Sequence, residues 1–343
     1  MSRQIGPKLL PPPELVEALL SRDNFLIATH VNPDGDAIGS CLALSDALNS
    51  LGKKCVLLDK HPIPAQYLFL PGQDKFETFE AFNASGKKIA DFDTLVMVDC
   101  NHPDRIGLST KELIPAIEEL KRALAGGMFT VVIDHHQTEN GFGNIRWISP
   151  ETAATGMLVY AAIKKMGVTI TQAIAKNIYT AIVTDTGNFR FDNTNAEVFR
   201  VAAELIDYGV SSSETYENAF ESYSGGRFRL FLGVIGTLWI DGNIAVSTVT
   251  TKMFEETSTA ADDTEAFVSF PMLMKDIRIA MLIRELKDGT CKVSLRSKGA
   301  IDVARVAEQF NGGGHKNAAG CRIEAGVAEA KRMLLEKLRE INI

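Results

Sequence analysis

Four unbroken apolar runs, each closed by a carboxylate or followed directly by a histidine, constrain this chain more than any other feature. They span 25–29, 54–59, 94–99 and 130–134. None alternates apolar with polar residues, the pattern of a strand with one wet face. Each reads as a strand buried on both sides. Helical stretches lie between them at 14–21, 37–51, 111–125 and 152–166, and another runs from Thr171 to about Val183. Alternation of this kind predicts an α/β fold, a parallel sheet of Rossmann-like type covered on both faces. Ligands of such sheets gather beyond the carboxyl ends of the strands. His30, Asp34, Asp36, Asp99, Asp134, His135 and His136 all fall there.

The second half has a different rhythm. Residues 194–238 read as helices, with Ser211 to Glu214 supplying capping residues and Ser224-Gly225-Gly226 a break. From about 239 short strands follow (244–249, 277–284, 291–296), then helices at 302–310 and 327–340. The expected organisation is a domain over 1–208, a connection over 209–226 and a smaller α/β domain over 227–343. A chain of 343 residues is long enough for two cores.

Composition excludes several classes. No stretch reaches the ~18 apolar residues of a membrane span, and Met1 to Pro13 lacks the apolar centre of a signal peptide. The expected location is the cytoplasm. The five cysteines (Cys41, Cys55, Cys100, Cys291, Cys321) show no paired spacing, which argues against a disulfide or zinc framework. Net charge is −7. A protein that grips long nucleic acid nonspecifically is usually basic, so a short phosphorylated ligand in a local cationic pocket fits better.

The strand ends carry the chemistry. In His30-x-x-x-Asp34-x-Asp36 the chain turns through Asn32-Pro33-Asp34-Gly35, and two carboxylates two residues apart can meet different ions. The helix that follows would aim its N-terminal dipole at an anion. The plainer reading makes Asp34 a helix cap. Asp99 closes its strand, and its two oxygens suit it to bridge two ions. In Asp134-His135-His136 adjacent histidines diverge, so one can ligate metal while the other faces substrate. Asp185 lies just past its expected helix, as a ligand or as a helix-end residue, with the Thr184 and Thr186 hydroxyls beside it. So many carboxylates and imidazoles are too negative to gather without cations. The mixed set suits Mn²⁺, with Mg²⁺ or Co²⁺ as substitutes. Two such ions ~3.5–4 Å apart form a clamp for displacement at phosphorus and acidify water. Farther on, Gly312-Gly313-Gly314-His315-Lys316 offers either a mobile turn or a nest of backbone N–H groups for phosphate. Arg105, Arg296 and Lys298 are candidate phosphate partners or plain surface charges.

Taken together, these motifs resemble the DHH phosphoesterase family, named for the triplet Asp134-His135-His136. The resemblance extends over essentially the whole chain and is closest to the branch of stand-alone, NrnA-type oligoribonucleases. These also dephosphorylate 3′-phosphoadenosine 5′-phosphate (pAp). It implies that His30, Asp34 and Asp99 hold one Mn²⁺, and that Asp36, Asp99, His135 and Asp185 hold the other. It implies that His136 sits beside them, contacting either the phosphate or the residues that hold the ligands. It also implies that Arg296, Gly313, Gly314 and His315, in a DHH-associated domain, hold substrate across an interdomain cleft, with Arg105 a further contact. Asp99, His135 and His136 form the expected catalytic core, with a hydroxide between the metals as nucleophile.

The expected function is hydrolysis of short RNA to mononucleotides and of pAp to AMP, with linear dinucleotides as further substrates. No membrane or obligate protein partner is expected, and a homodimer is left open. Two other readings compete. One is a single-strand exonuclease on longer DNA or RNA, which would act comparably on short and long chains. The other is a catalytically silent nucleotide sensor, which would bind pAp without releasing phosphate.

Overall fold

A computed structural model describes residues 9–110, 112–137, 141–221 and 223–340, with the side chains of His315 and Glu340 excluded. The chain forms two compact units, Met1–Ser222 and Tyr223–Ile343. The expected connection spans 209–226. Helices occupy part of that stretch, at Ser212–Phe220 and from Gly225 onward.

The first unit runs α1 (Pro13–Ser21), β1 (Asn24–Ala28), α2 (Gly35–Ser50), β2 (Lys54–Asp59), β3 (Phe76–Thr78), α3 (Phe79–Ala84), β4 (Thr94–Val98), α4 (Pro115–Ala125), β5 (Phe129–Asp134), β6 (Ile145–Ile148), α5 (Thr155–Lys165), α6 (Gln172–Asp185), α7 (Ala196–Asp207) and α8 (Ser212–Phe220). All its strands pair in parallel, in the order β3-β2-β1-β4-β5-β6. This is the doubly wound order, whose direction reverses between β1 and β4.

The unbroken apolar runs have a direct cause. Phe25, Ile27, Val96, Val98, Val131 and Ile133 face a core shared with α1, α2, α5 and α6. Leu26, Ala28, Leu95, Met97 and Val132 face the opposite core, with Phe79, Phe82, Ile117 and Leu120. Successive side chains point to opposite faces and both faces are dry. Each such buried side chain contributes roughly 1.5–3 kcal/mol. Close helix packing depends on small residues. A Cβ on Gly39 would lie 2.3 Å from the Asn177 carbonyl oxygen, and one on Gly156 would lie 2.5 Å from the Ala181 Cβ.

Several boundaries differ from expectation for identifiable reasons. α2 begins at Gly35 because Asp34 caps it, accepting from Asp36 and Ala37 N–H at 3.0 and 3.1 Å. α4 begins at Pro115, a residue suited to the first helical position. Asp185 is the last residue of α6 rather than lying past it, and the next N–H, of Thr186, still reaches Ile182 O at 3.0 Å. Strands β3 and β6 are short edge strands that the sequence pattern did not reveal.

The second unit runs α9 (Gly225–Gly236), β7 (Trp239–Asp241), β8 (Ile244–Val249), α10 (Thr251–Thr257), β9 (Ile279–Glu285), β10 (Cys291–Ser297), α11 (Ala304–Glu308), β11 (Gly313–His315), β12 (Ala318–Ile323) and α12 (Val327–Glu340). Its sheet, β11-β12-β10-β9-β8-β7, is antiparallel except for the parallel pair β8–β9. Ile279, Met281, Val293 and Leu295 pack with Val306, Leu334 and Leu338 on one face. Ala280 and Leu282 pack with Leu230, Val234 and Phe267 on the other.

The glycine-rich segment is a hairpin rather than an open loop. Gly313 and Gly314 pair with Gly320 and Ala319. A Cβ on Gly312 would meet the Gly320 carbonyl oxygen at 2.2 Å, and one on Gly314 would meet the Ala318 oxygen at 2.5 Å. Two of the glycines therefore have a packing reason to be there, while Gly313 faces open space. All five thiols are free. Among the described residues, no helix is long and apolar enough to cross a membrane.

Candidate metal centre

The carboxyl ends of β1, β4 and β5 lie side by side at the point where strand order reverses, and the chain leaves each through an acid or a histidine. After β1 the ligand loop takes a left-handed residue at Asn32 (φ 57). Two bonds pin it: Val31 N donates to Arg105 O at 2.7 Å, and Asn32 N donates to His61 Nδ1 at 3.1 Å. Asp34 and Asp36 follow at the start of α2. After β4 comes Asp99, also left-handed (φ 59) and 1% exposed. β5 ends in Asp134, and His135 and His136 follow.

Asp99 splits its carboxylate between two histidines. Its Oδ2 lies 3.4 Å from His30 Nε2, and its Oδ1 lies 3.6 Å from His135 Nε2. The Thr155 hydroxyl donates to Oδ1 at 2.8 Å. Asp36 is held as firmly, accepting Thr155 N at 2.7 Å, Gly156 N at 2.8 Å and Ser40 Oγ at 3.0 Å. The His135 ring is turned by Nδ1, which sits 3.1 Å from Thr152 O. That leaves Nε2 pointing at Asp36 (3.8 Å), Asp99 (3.6 Å) and Asp185 (3.5 Å). This nitrogen is buried, and among the described residues it has no hydrogen-bond partner.

These separations fit cations. They are too long for good hydrogen bonds. Ligand atoms ~2.1 Å from one ion stand ~3–4.2 Å apart, depending on the angle. His30, Asp34 and Asp99 bring ligand atoms within 4.8 Å of one another, and so do Asp36, His135 and Asp185, and Asp99, His135 and His136. His30 of the first group and His135 of the second approach different oxygens of Asp99. Protonation behaviour agrees. Burial, then the charge of Asp185, pushes Asp36 up to about 7. Burial and the charge of Asp36 push Asp99 well above the usual carboxylate range. Burial raises Asp185 to about 6. Burial pulls the His135 imidazole down, but Asp36, Asp185 and Asp99 outweigh it, so its pKa is raised. The pocket demands positive charge, which the donor set allows divalent ions to supply.

Asp134 has a different role from its neighbours. Its Oδ1 meets His136 Nδ1 at 2.8 Å and accepts His136 N at 3.1 Å, while Asn101 Nδ2 donates to Oδ2 at 2.5 Å. Burial would raise this carboxyl, but the His136 bond and charge win, and its pKa is lowered. Asp134 thus orients the His136 ring, which is 37% exposed. The sequence reading missed Thr155, Gly156, Ser40, Thr152 and Asn101. Each is an ordinary polar or small residue at a helix start or strand exit, with no signal of its own.

The proposed substrate contacts lie on several elements. Arg105 lies in the turn Pro103–Ile106, tied through its carbonyl to the His30–Asp34 loop. Arg296 lies in β10 of the second unit, donating to Leu295 O at 2.9 Å, and Lys298 donates to Met274 O at 3.1 Å. Gly313, Gly314 and the His315 backbone form β11.

Residues 24–182 match the DHH family, N-terminal domain, and residues 241–342 match the DHHA1 domain. A Thermus thermophilus protein named bifunctional oligoribonuclease and PAP phosphatase NrnA is 35% identical over 92% of this chain and 89% of its own length. A Bacillus subtilis protein of the same name is 26% identical over 94% and 96%. The crystal structure of an exopolyphosphatase-related protein from Bacteroides fragilis superposes with a TM-score of 0.85 at 28% identity, covering 95% of each chain.

Proposed function

This chain belongs to the DHH family, and from that premise we propose that it is a two-metal phosphohydrolase of short RNA and pAp. It cleaves oligoribonucleotides to mononucleotides and converts pAp to AMP, with Mn²⁺ as the preferred ion. The single observation that carries the metal reading is the buried, unbonded His135 Nε2 facing carboxylates from α2, β4 and α6. The substrate reading rests on the relative of 35% identity, whose name states both activities.

His30, Asp34 and Asp99 hold one cation; Asp36, Asp99, His135 and Asp185 hold the other. When bound, such ions neutralise charge on phosphoryl oxygens and acidify water. The chain's own residues do the rest. Thr155 fixes the Asp99 oxygen on the His135 side. Thr152 O holds the His135 tautomer that leaves Nε2 as ligand. Asp134 occupies His136 Nδ1, so Nε2 is the ring atom left for a phosphoryl oxygen. Arg105, Arg296, Gly313, Gly314 and His315 bind the rest of the nucleotide. A substrate with few phosphates suits a net charge of −7.

The test is a time course on an end-labelled dinucleotide, a pentanucleotide, a long RNA and pAp, with Mn²⁺, Mg²⁺ or chelator. Fast release from the short RNAs and pAp, lost with chelator, is expected. Equal rates on long and short RNA would instead indicate a processive exonuclease. Mn²⁺-dependent binding of pAp without phosphate release would indicate a sensor.

A further inference from the structure

Just past Asp185 the backbone takes three successive left-handed residues, Gly187 (φ 55), Asn188 (φ 58) and Phe189 (φ 63). Two of them carry side chains, for which this region is unfavourable, and such clusters persist only where surrounding structure enforces them. Here it does. Phe189 N donates to Thr186 Oγ1 at 3.1 Å, and Arg190 N and Phe191 N both donate to Thr186 O, at 2.9 and 3.0 Å. Arg190 Nε donates to Gly187 O at 2.9 Å. Asn193 Nδ2 ties the far end back, donating to Asp185 O and Ala153 O at 3.1 Å each.

The turn sets one side chain in an unusual place. The Phe191 ring lies against the Gly187 backbone, where a Cβ would fall 2.4–2.6 Å from its Cζ, Cε1 and Cε2. A side chain at 187 would displace the ring. The ring nevertheless remains 54% exposed. Beside it on the chain, Phe189 stacks on Phe199 with ring centroids 5.3 Å apart and planes 22° apart. A phenyl ring is thus packed on the turn that follows Asp185 without being buried in the core.

We propose that Phe191 is a stacking platform for a nucleobase of the substrate, and so determines specificity for nucleotides over other phosphate esters. The inference rests on the phosphohydrolase reading of the adjoining centre. An aromatic face held rigid suits any base, since every base presents a π face. The ring is anchored two residues from Asp185, on a turn whose bonds run to the Asp185 carbonyl itself. A base stacked there belongs to a nucleotide whose phosphate is close at hand. The neighbouring Arg190 commits Nε to Gly187 O, and among the described residues its terminal nitrogens have no hydrogen-bond partner, which leaves them for such a phosphate.

Steady-state kinetics on pAp and on its base-free analogue, ribose 3′,5′-bisphosphate, test this in wild type, Phe191→Ala and Phe191→Tyr. Calorimetric titration with AMP accompanies them. Phe191→Ala should raise the KM for pAp and weaken AMP binding about tenfold, while the KM for the base-free analogue moves by about twofold or less. Phe191→Tyr should restore both values, and melting temperature and bound metal should not change. Equal shifts for the two substrates, or none for either, would overturn the platform. A wild type that turns over neither substrate would instead overturn the phosphohydrolase reading, and the AMP titrations would still decide whether Phe191 holds a base.

Discussion

Thr155 donates its hydroxyl to Oδ1 of Asp99 at 2.8 Å across 56 residues of sequence. The same residue's backbone N–H reaches Asp36 Oδ2 at 2.7 Å. One helix start therefore aligns carboxylates from two other parts of the chain. Thr155→Val keeps the shape and removes the hydroxyl. Metal affinity or kcat/KM should fall about 10–100-fold, with Thr155→Ser largely restored. Mn²⁺ titration calorimetry checks this, and an unchanged dissociation constant would show the hydroxyl to be incidental.

Asp99→Ala removes the proposed shared ligand. Activity should vanish, while the metal-free fold survives and melts no lower than wild type, because burial and Asp36 already hold that carboxyl well above its ordinary range. Retained Mn²⁺-dependent turnover in this variant would defeat the two-metal assignment.

Stability of the metal-free protein should fall as pH rises. Burial raises Asp59 to about 7, as burial and Asp185 raise Asp36. For a carboxyl raised in the folded state, the fold takes up protons that the unfolded chain has released. The resulting penalty is absent below about pH 4 and complete above about pH 7. His135, also raised, acts in the same direction: its contribution is lost as pH climbs above its folded pKa. Asp134, lowered, acts oppositely, but at more acidic pH. The chelated protein should melt higher at pH 5 than at pH 8, and Mn²⁺ should raise the melting temperature more at pH 8. A chelated protein that is more stable at pH 8 would contradict the buried-carboxylate picture.

Gly39→Ala should destabilise by about 1–3 kcal/mol or more, since the new methyl meets the backbone oxygen of Asn177 and α2 must move from α6. Gly233→Ala, in α9 with open space around it, should stabilise by about 0.5–1 kcal/mol. Denaturant titrations of both variants measure the contrast directly, and a Gly39→Ala protein as stable as wild type would mean the helices are looser than described.

His315→Ala should impair use of pAp and short RNA while two ions remain bound. Metal analysis alongside kinetics separates the two effects. Loss of metal would place the residue in the ion cluster instead.

The α/β class and the carboxylates and histidines at the strand ends could be read from the sequence because local rules govern them. A run such as Leu95-Val96-Met97-Val98 is apolar at every position only if both faces are buried, so the sheet and its covering helices follow from the residues themselves. In a doubly wound sheet the exits of such strands converge, which is why His30, Asp99 and His135 could be grouped before their distances were known. Short edge strands such as Phe76–Thr78 and Gly313–His315 escaped, since three residues carry no period and their pairing depends on distant partners.

By itself the sequence determined which residue types stand at the ends of the buried strands, and hence that, once gathered, they could hold cations. Only the tertiary structure decided the division of labour among them: that Asp99 turns one oxygen to His30 and the other to His135, that Asp134 serves His136 rather than an ion, and that Thr155, Thr152 and Asn101 hold the cluster in place. The reason is physical. Burial pattern is a property of neighbouring residues along one strand, whereas a hydrogen bond between residues 56 positions apart exists only once packing has fixed both backbones.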